Sequence, residues 1–313
     1  MKTILTSIIV ASILLIACEA SPQETTSSEW WVTNPTSGAQ LYVKKYTPDN
    51  VTDEALSTLV LVPGGNGDSS KFGKGRYSAQ TLANEGFIVI TFDPDGRGDS
   101  EGTEDYNGFT QQDGLKAVIE SADSDSIGLV TFSYGITMGS GVLARYPELP
   151  VKFLIDWEGP ADRNDTGGCD SANTGHLKEV ADCNDEAFWA EREALTFISQ
   201  IEVPYLRLQS EKDHAQPDVS HAIAMVNAAV RGGKTTWVRL NDEVVNTLYS
   251  SETLPELMPD SEEKDLMEKI GAYAQELFGA GIGKFLNRVL KTFLHRLSWE
   301  RSFSSYMIQK APS

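Results

Sequence analysis

Residues 128–141, "GLVTFSYGITMGSG", pass from an apolar run through a turn of small residues into a segment rich in glycine and other small side chains. The apolar run reads as a buried strand, and the segment after it as a helix rich in small side chains. Ser133 stands at the turn between them. A serine in that place is either a nucleophile or a turn residue, and the difference lies in whether the chain brings a base and an acid to it.

The chain around this stretch alternates between strand-like and helix-like segments. Short apolar runs at 39–48, 57–65, 86–96, 126–133, 151–159, 203–210 and 234–241 end in Gly, Pro or Asp turns, as buried strands do. Helical patterns fill 76–84, 110–122, 135–146, 185–199, 218–231 and 261–278 between and after them. The alternation predicts an α/β chain: one open, mainly parallel central sheet flanked by helices. Sites on such sheets lie at the carboxyl ends of the strands, where the turn at Ser133 falls. The stretch 160–190 breaks the alternation with polar residues, Cys169, Cys183 and the pair Phe188-Trp189, and is expected to be a small cap inserted over the strand ends.

Three turns carry a resemblance. "TFSYG" (131–135) is similar to the G-x-S-x-G elbow of the α/β-hydrolases, with Thr131 in place of the first glycine. "LVPGGNG" (61–67) follows a strand and places Gly64 and Gly65 where that fold builds half of its oxyanion hole. "DPDGRGDSEG" (93–102) is similar to a D-x-R-G-x-G-x-S loop of the same hydrolases; its Arg97-Gly98-Asp99 is also a tripeptide that elsewhere recognises integrins. The order of the turns resembles the dienelactone-hydrolase and prolyl-peptidase side of the superfamily, over about residues 38–279.

The resemblance implies a serine hydrolase of ester or peptide-like acyl bonds acting on a small molecule. Ser133 is the expected nucleophile, and the Gly65 and Tyr134 amides are the expected oxyanion donors. The acid is expected in "EKDHAQP" after the strand at 203–210, as Asp213, with Asp156 and Glu158 after the preceding strand in reserve. The base is expected in the loop after the last strand, "NDEVVNTLYSS", whose histidine slot falls at Val245 or Asn246. Neither side chain takes a proton from serine.

The chain holds four histidines. His214 adjoins Asp213 in a loop where this family often carries a histidine other than the base, and His221 falls in a predicted helix. His176 in the cap and His295 in the tail are the outside candidates. The alternative reading is therefore a catalytically impaired hydrolase fold that binds a small ligand or a partner. The pattern implies no cofactor: the cap's aspartates lack an EF-hand loop, and no CxxC or HxxxH spacing suggests zinc.

The amino terminus, "MKTILTSIIVASILLIACEA", has one early lysine, an apolar run and a small-residue ending. Leu15-Ile16-Ala17-Cys18 resembles the lipobox of bacterial lipoproteins, which implies a leader at 1–18 and lipid on Cys18; an ordinary cleaved signal peptide is the alternative. Residues 19–37, polar and Ser/Thr-rich, are expected to be a flexible tether. The location implied is the bacterial cell envelope, outside the cytoplasm. Cys169 and Cys183 then form an even pair in an oxidising compartment, a disulfide candidate.

The formal charge of −19 argues against a phosphate backbone as a partner. That charge is uneven. Residues 280–313 carry six Lys or Arg against one acid, a net +5, while 1–279, with 20 cations and 44 acids, carry −24. "GIGKFLNRVLKTFLHRL" sets an apolar stripe against basic residues, so 280–313 is expected to be an additional amphipathic helix. Its contact is an anionic membrane surface, through 282–297, or the acidic body of the chain itself; a disordered or foreign extension is the third reading.

Overall fold

The computed structural model describes residues 25–48, 56–170, 175–259 and 264–279. The leader, Cys18, His295 and the basic stretch 280–313 lie outside the described residues.

Nine strands form one sheet in the order β1-β2-β4-β3-β5-β6-β7-β8-β9. They are β1 (Thr25–Thr33), β2 (Gln40–Pro48), β3 (Thr58–Val62), β4 (Ile88–Phe92), β5 (Ile127–Phe132), β6 (Val151–Trp157), β7 (Tyr205–Leu208), β8 (Val238–Leu240) and β9 (Glu243–Val244). From β4 to β8 the pairing is parallel, and β1, β2 and β9 are antiparallel additions at the two ends. Every residue of β3, β4 and β5 is buried, which is why these strands read as unbroken apolar runs.

Two cores lie on the two faces. Helices α2 (Phe109–Ser121), α3 (Gly135–Arg145), α6 (Ala194–Ile198) and α7 (Ser220–Gly232) cover one, with Leu115, Met138, Ile198 and Met225 among the side chains that fill it. Helices α1 (Ala79–Asn84) and α8 (Leu266–Gly279) cover the other, around Leu82, Phe153 and Ile270. No helix among the described residues is long and apolar enough to cross a membrane.

Two expectations are corrected here. The tether expected at 19–37 is, from Thr25 to Thr33, the strand β1, paired residue for residue with β2. Its hydroxyl-rich composition suits an edge strand, and Trp30 and Val32 anchor it against the core. The helix expected at 185–199 is two short helices, α5 (Glu186–Ala190) and α6. The break falls where Arg192 turns inward, its guanidinium on the Asp105 carboxylate at 2.5 Å and on the Asp105 and Phe188 carbonyls.

Between β6 and α6 runs the inserted segment expected as a cap. The helix α4 (Arg163–Gly167) opens it behind a capping box formed by Asp162 and Asp165. Arg163 clamps Glu186 and Glu193, Trp189 is fully buried, and the Cys169–Cys183 disulfide closes the segment.

Candidate active site

Ser133 follows β5 directly and has φ 51°, in the left-handed region that a β-carbon disfavours. Its backbone N–H donates to the Trp157 carbonyl at 2.8 Å, and its carbonyl accepts from Ile136 N–H at the start of α3. The strained turn lifts the half-buried hydroxyl off the end of the sheet. Thr131, in place of the usual glycine, fits because α3 has Gly139 opposite it: a methyl group there would overlap the Thr131 methyl. Here the helix, at Gly139, gives the room that the Thr131 side chain takes.

The glycine loop after β3 lies against this turn. A methyl group on Gly64 would stand 2.5 Å from the Phe132 carbonyl oxygen and 2.9 Å from Ser133 Cβ, so the close approach requires glycine. Gly65 has φ 55°, and its carbonyl accepts from Arg97 at 3.1 Å. Arg97 is buried and forks onto Glu104 with two bonds of 2.7 Å. Its guanidinium also reaches Asn107, whose own amide donates to the Tyr134 carbonyl at 2.8 Å. One buried arginine thus ties the glycine loop to the elbow, and the Arg-Gly-Asp tripeptide offers no free guanidinium for adhesion. The backbone N–H groups of Gly65 and Tyr134 donate to no protein acceptor among the described residues.

The base slot is where the structure departs most from expectation. His214 Nε2 lies 2.8 Å from Ser133 Oγ, and His214 Nδ1 lies 2.8 Å from Glu158 Oε2. Glu158 follows β6 with φ 48° and is buried. Its carboxylate also accepts the backbone N–H of Ser210 and of His214, each at 3.0 Å. The imidazole is stacked on Trp157, ring centroids 4.6 Å apart and planes 24° from parallel. Ser133, Glu158 and His214 follow three consecutive strands, β5, β6 and β7.

This arrangement corrects the assignment of the acid and of the base. Asp213 does not hold the imidazole at hydrogen-bond distance; its Oδ1 is 3.5 Å from His214 Nδ1. Its Oδ2 accepts instead from Gln209 Nε2 at 3.0 Å and pairs with His221 Nε2 at 3.1 Å. Burial pushes the Asp213 carboxyl up, but hydrogen bonds from His221, Gln209 and the Gln216 backbone override that and hold it well below the usual range. Val245 is buried in the core, with its N–H on the Val238 carbonyl, and Asn246 is exposed. His176 is exposed in the cap beside Glu179. Asp156, the other reserve acid, is fully buried and paired with Arg207 at 2.7 Å and Tyr205 at 3.0 Å.

Ligand atoms of Glu158, Asp213 and His214 also lie within 4.8 Å of one another, a spacing an ion would accept. Both carboxylates, however, already accept backbone and side-chain donors that an ion would have to displace. The donor set fits an imidazole better than a metal.

No protein-family model matches the chain, and no curated protein sequence does. Solved structures do. An esterase from Pyrococcus furiosus is 17% identical with a TM-score of 0.53, covering 83% of this chain and 94% of its own. The Pyrococcus horikoshii acylaminoacyl peptidase is 16% identical with a TM-score of 0.56, covering 78% of this chain and 40% of its own. Est1E from Butyrivibrio proteoclasticus, solved with ferulic acid bound, is 17% identical with a TM-score of 0.57, covering 80% of this chain and 99% of its own. These are α/β-hydrolase structures, and the chain has the α/β-hydrolase fold.

Proposed function

We propose that this chain is a serine hydrolase of ester or peptide-like acyl bonds, with Ser133 as nucleophile, His214 as general base and Glu158 as its carboxylate. One observation carries the reading: a single imidazole bridges the serine oxygen and a buried carboxylate, at 2.8 Å on each side. Glu158 accepts from Nδ1–H and so leaves the Nε2 lone pair facing Ser133. His214 takes the hydroxyl proton as Oγ attacks the acyl carbon, then returns it to the departing alcohol or amine. A water activated by the same imidazole hydrolyses the acyl-enzyme.

The Gly65 and Tyr134 amides are the donors for the carbonyl oxygen as it gains charge, and Arg97 fixes the loop that carries the first of them. The relatives in structure include both esterases and a peptidase, which supports the acyl-transfer class and leaves the leaving group open. The reading as an impaired binding protein rests on a base missing after β8; the 2.8 Å between His214 Nε2 and Ser133 Oγ supports the hydrolase reading instead.

The test is active-site labelling. The purified protein should react with a fluorophosphonate probe, and Ser133→Ala should abolish the reaction. His214→Ala should slow it by about three orders of magnitude or more. Wild-type labelling in either variant would overturn the assignment.

Export belongs to the same reading. The Cys169–Cys183 disulfide supports an oxidising compartment, and the lipobox-like ending supports a lipid anchor at Cys18 in the bacterial cell envelope. The basic stretch 282–297 is then proposed to touch an anionic membrane surface. Mass spectrometry of the exported protein should find an acylated Cys18; an unacylated, cleaved chain would make it a soluble secreted protein.

A further inference from the structure

The loop that carries His214 contains a second carboxylate that the mechanism above does not use. Asp213 Oδ1 stands 3.5 Å from His214 Nδ1, too long for a hydrogen bond yet on the same nitrogen that Glu158 holds at 2.8 Å. Glu158 hangs from the end of β6, whereas Asp213 belongs to the loop after β7. The imidazole therefore faces two carboxylates supplied by different elements.

Asp213 is held more firmly than a turn residue requires. Its Oδ1 accepts the backbone N–H of Ala215 at 2.8 Å and of Gln216 at 2.7 Å. Its Oδ2 takes Gln209 and the imidazole of His221, whose side chain on α7 is 1% exposed. Gln209 in turn receives two bonds from Arg207, which is paired with Asp156. A buried polar chain from under the elbow to α7 thus fixes the carboxylate and keeps it ionised. Trp157 stacks on one face of the ring and holds its plane. Asp213 Oδ1 lies a few tenths of an ångström beyond hydrogen-bond reach of Nδ1.

We propose that Asp213 is a second positioning carboxylate for His214: it shares the imidazole with Glu158 and takes over its orientation when Glu158 is lost. His221 and Gln209 act through Asp213 by holding it in place. This inference rests on the proposed Ser133–His214–Glu158 mechanism. It predicts redundancy, which a purely structural aspartate would not produce.

The experiment is a double-mutant cycle on the full chain, with kcat and KM for a 4-nitrophenyl ester. Its variants are Glu158→Ala, Asp213→Ala, the double variant, and His214→Ala as the floor. Alanine is used at Glu158 because a glutamine amide would donate to Nδ1 and trap the wrong tautomer. Each single variant should stay at least tenfold above the floor in kcat. The double variant should fall to the floor, a loss at least tenfold greater than the product of the single losses, with KM little changed.

Thermal unfolding checks that each variant is folded. His221→Ala in the Glu158→Ala background removes one donor to Asp213 without touching Asp213 itself, and should lower kcat below that of Glu158→Ala alone. Single losses that simply multiply, or Glu158→Ala alone at the floor, would overturn the role of Asp213 and leave the triad standing. A His214→Ala variant with wild-type kcat would instead overturn the triad itself, and this inference with it.

Discussion

The indole of Trp157 lies almost flat against the imidazole of His214, 4.6 Å between centroids, while Tyr77 packs on the indole at 5.4 Å. Trp157 is the last residue of β6 and Glu158 the next, so one strand end supplies both the surface under the base and the acid beside it. Stacked aromatic pairs contribute about 0.5–1.5 kcal/mol beyond burial, here spent on holding one ring plane. Trp157→Leu should lower kcat by about tenfold, equivalent to about 1.4 kcal/mol of barrier, with little change in KM, and Trp157→Phe should recover most of it. Wild-type kcat in the leucine variant would mean that the carboxylates beside the ring orient it without the stack.

Thr131 and Gly139 make the elbow's packing testable. The Thr131 methyl occupies the space that a side chain at 139 would need. Gly139→Ala should therefore destabilise the fold by about 1–3 kcal/mol from overpacking, against about 1 kcal/mol regained from helix propensity. Thr131→Ser removes the methyl and keeps the hydroxyl, so Thr131→Ser with Gly139→Ala should unfold at higher urea than Gly139→Ala alone. Equal midpoints would mean the helix yields elsewhere.

The sheet was legible because its central strands are buried on both faces and so read as unbroken apolar runs: β3 to β6 fall where the pattern puts them. β1 was not, since "TTSSEWWVT" at the sheet edge has the composition of a spacer and shows its order only through pairing with β2. Ser133 was legible from its small neighbours. His214 does not stand out in the sequence for a physical reason: the resemblance places the acid after β7 and the base after β8, and nothing local distinguishes a base from a neighbouring loop histidine. The signal was present nonetheless. Glu158 and His214 each follow a strand, in the order serine, acid, histidine, and the loop after β8 has no histidine at all. Moving both partners back by one strand satisfies every one of these facts.

The cap depends on its staple. Cys169 and Cys183 are separated by 14 positions, and closing a loop of that length restricts the unfolded chain by about 3 kcal/mol. Replacing both cysteines by serine should lower unfolding stability by about 2–3 kcal/mol, and mild reductant should do the same to the wild type alone. If reductant leaves the wild-type midpoint unchanged, the cap is held by Arg163, Trp189 and their partners without it.

Glu85 gives the fold a pH dependence of unusual sign. It ends α1 with its carboxylate pressed on Gly271 of α8, and its carboxyl is pushed up to about 7, first by burial and then by the nearby Glu268 charge. In the unfolded chain the same group titrates near 4.5. Between these values the folded protein holds the proton more tightly, so stability falls as pH rises through the window and levels off above it. Asp213, depressed by its partners, acts the other way: its contribution is lost as pH falls below the ordinary carboxyl range. Half-exposed as Glu85 is, solvent screening reduces its effect to about 1 kcal/mol. Glu85→Gln should remove that decline, raising the urea midpoint at pH 8 relative to wild type and leaving the two proteins nearly equal at pH 4.5. Parallel curves for the two proteins across the whole range would show that the Glu85 carboxyl titrates as a solvated one.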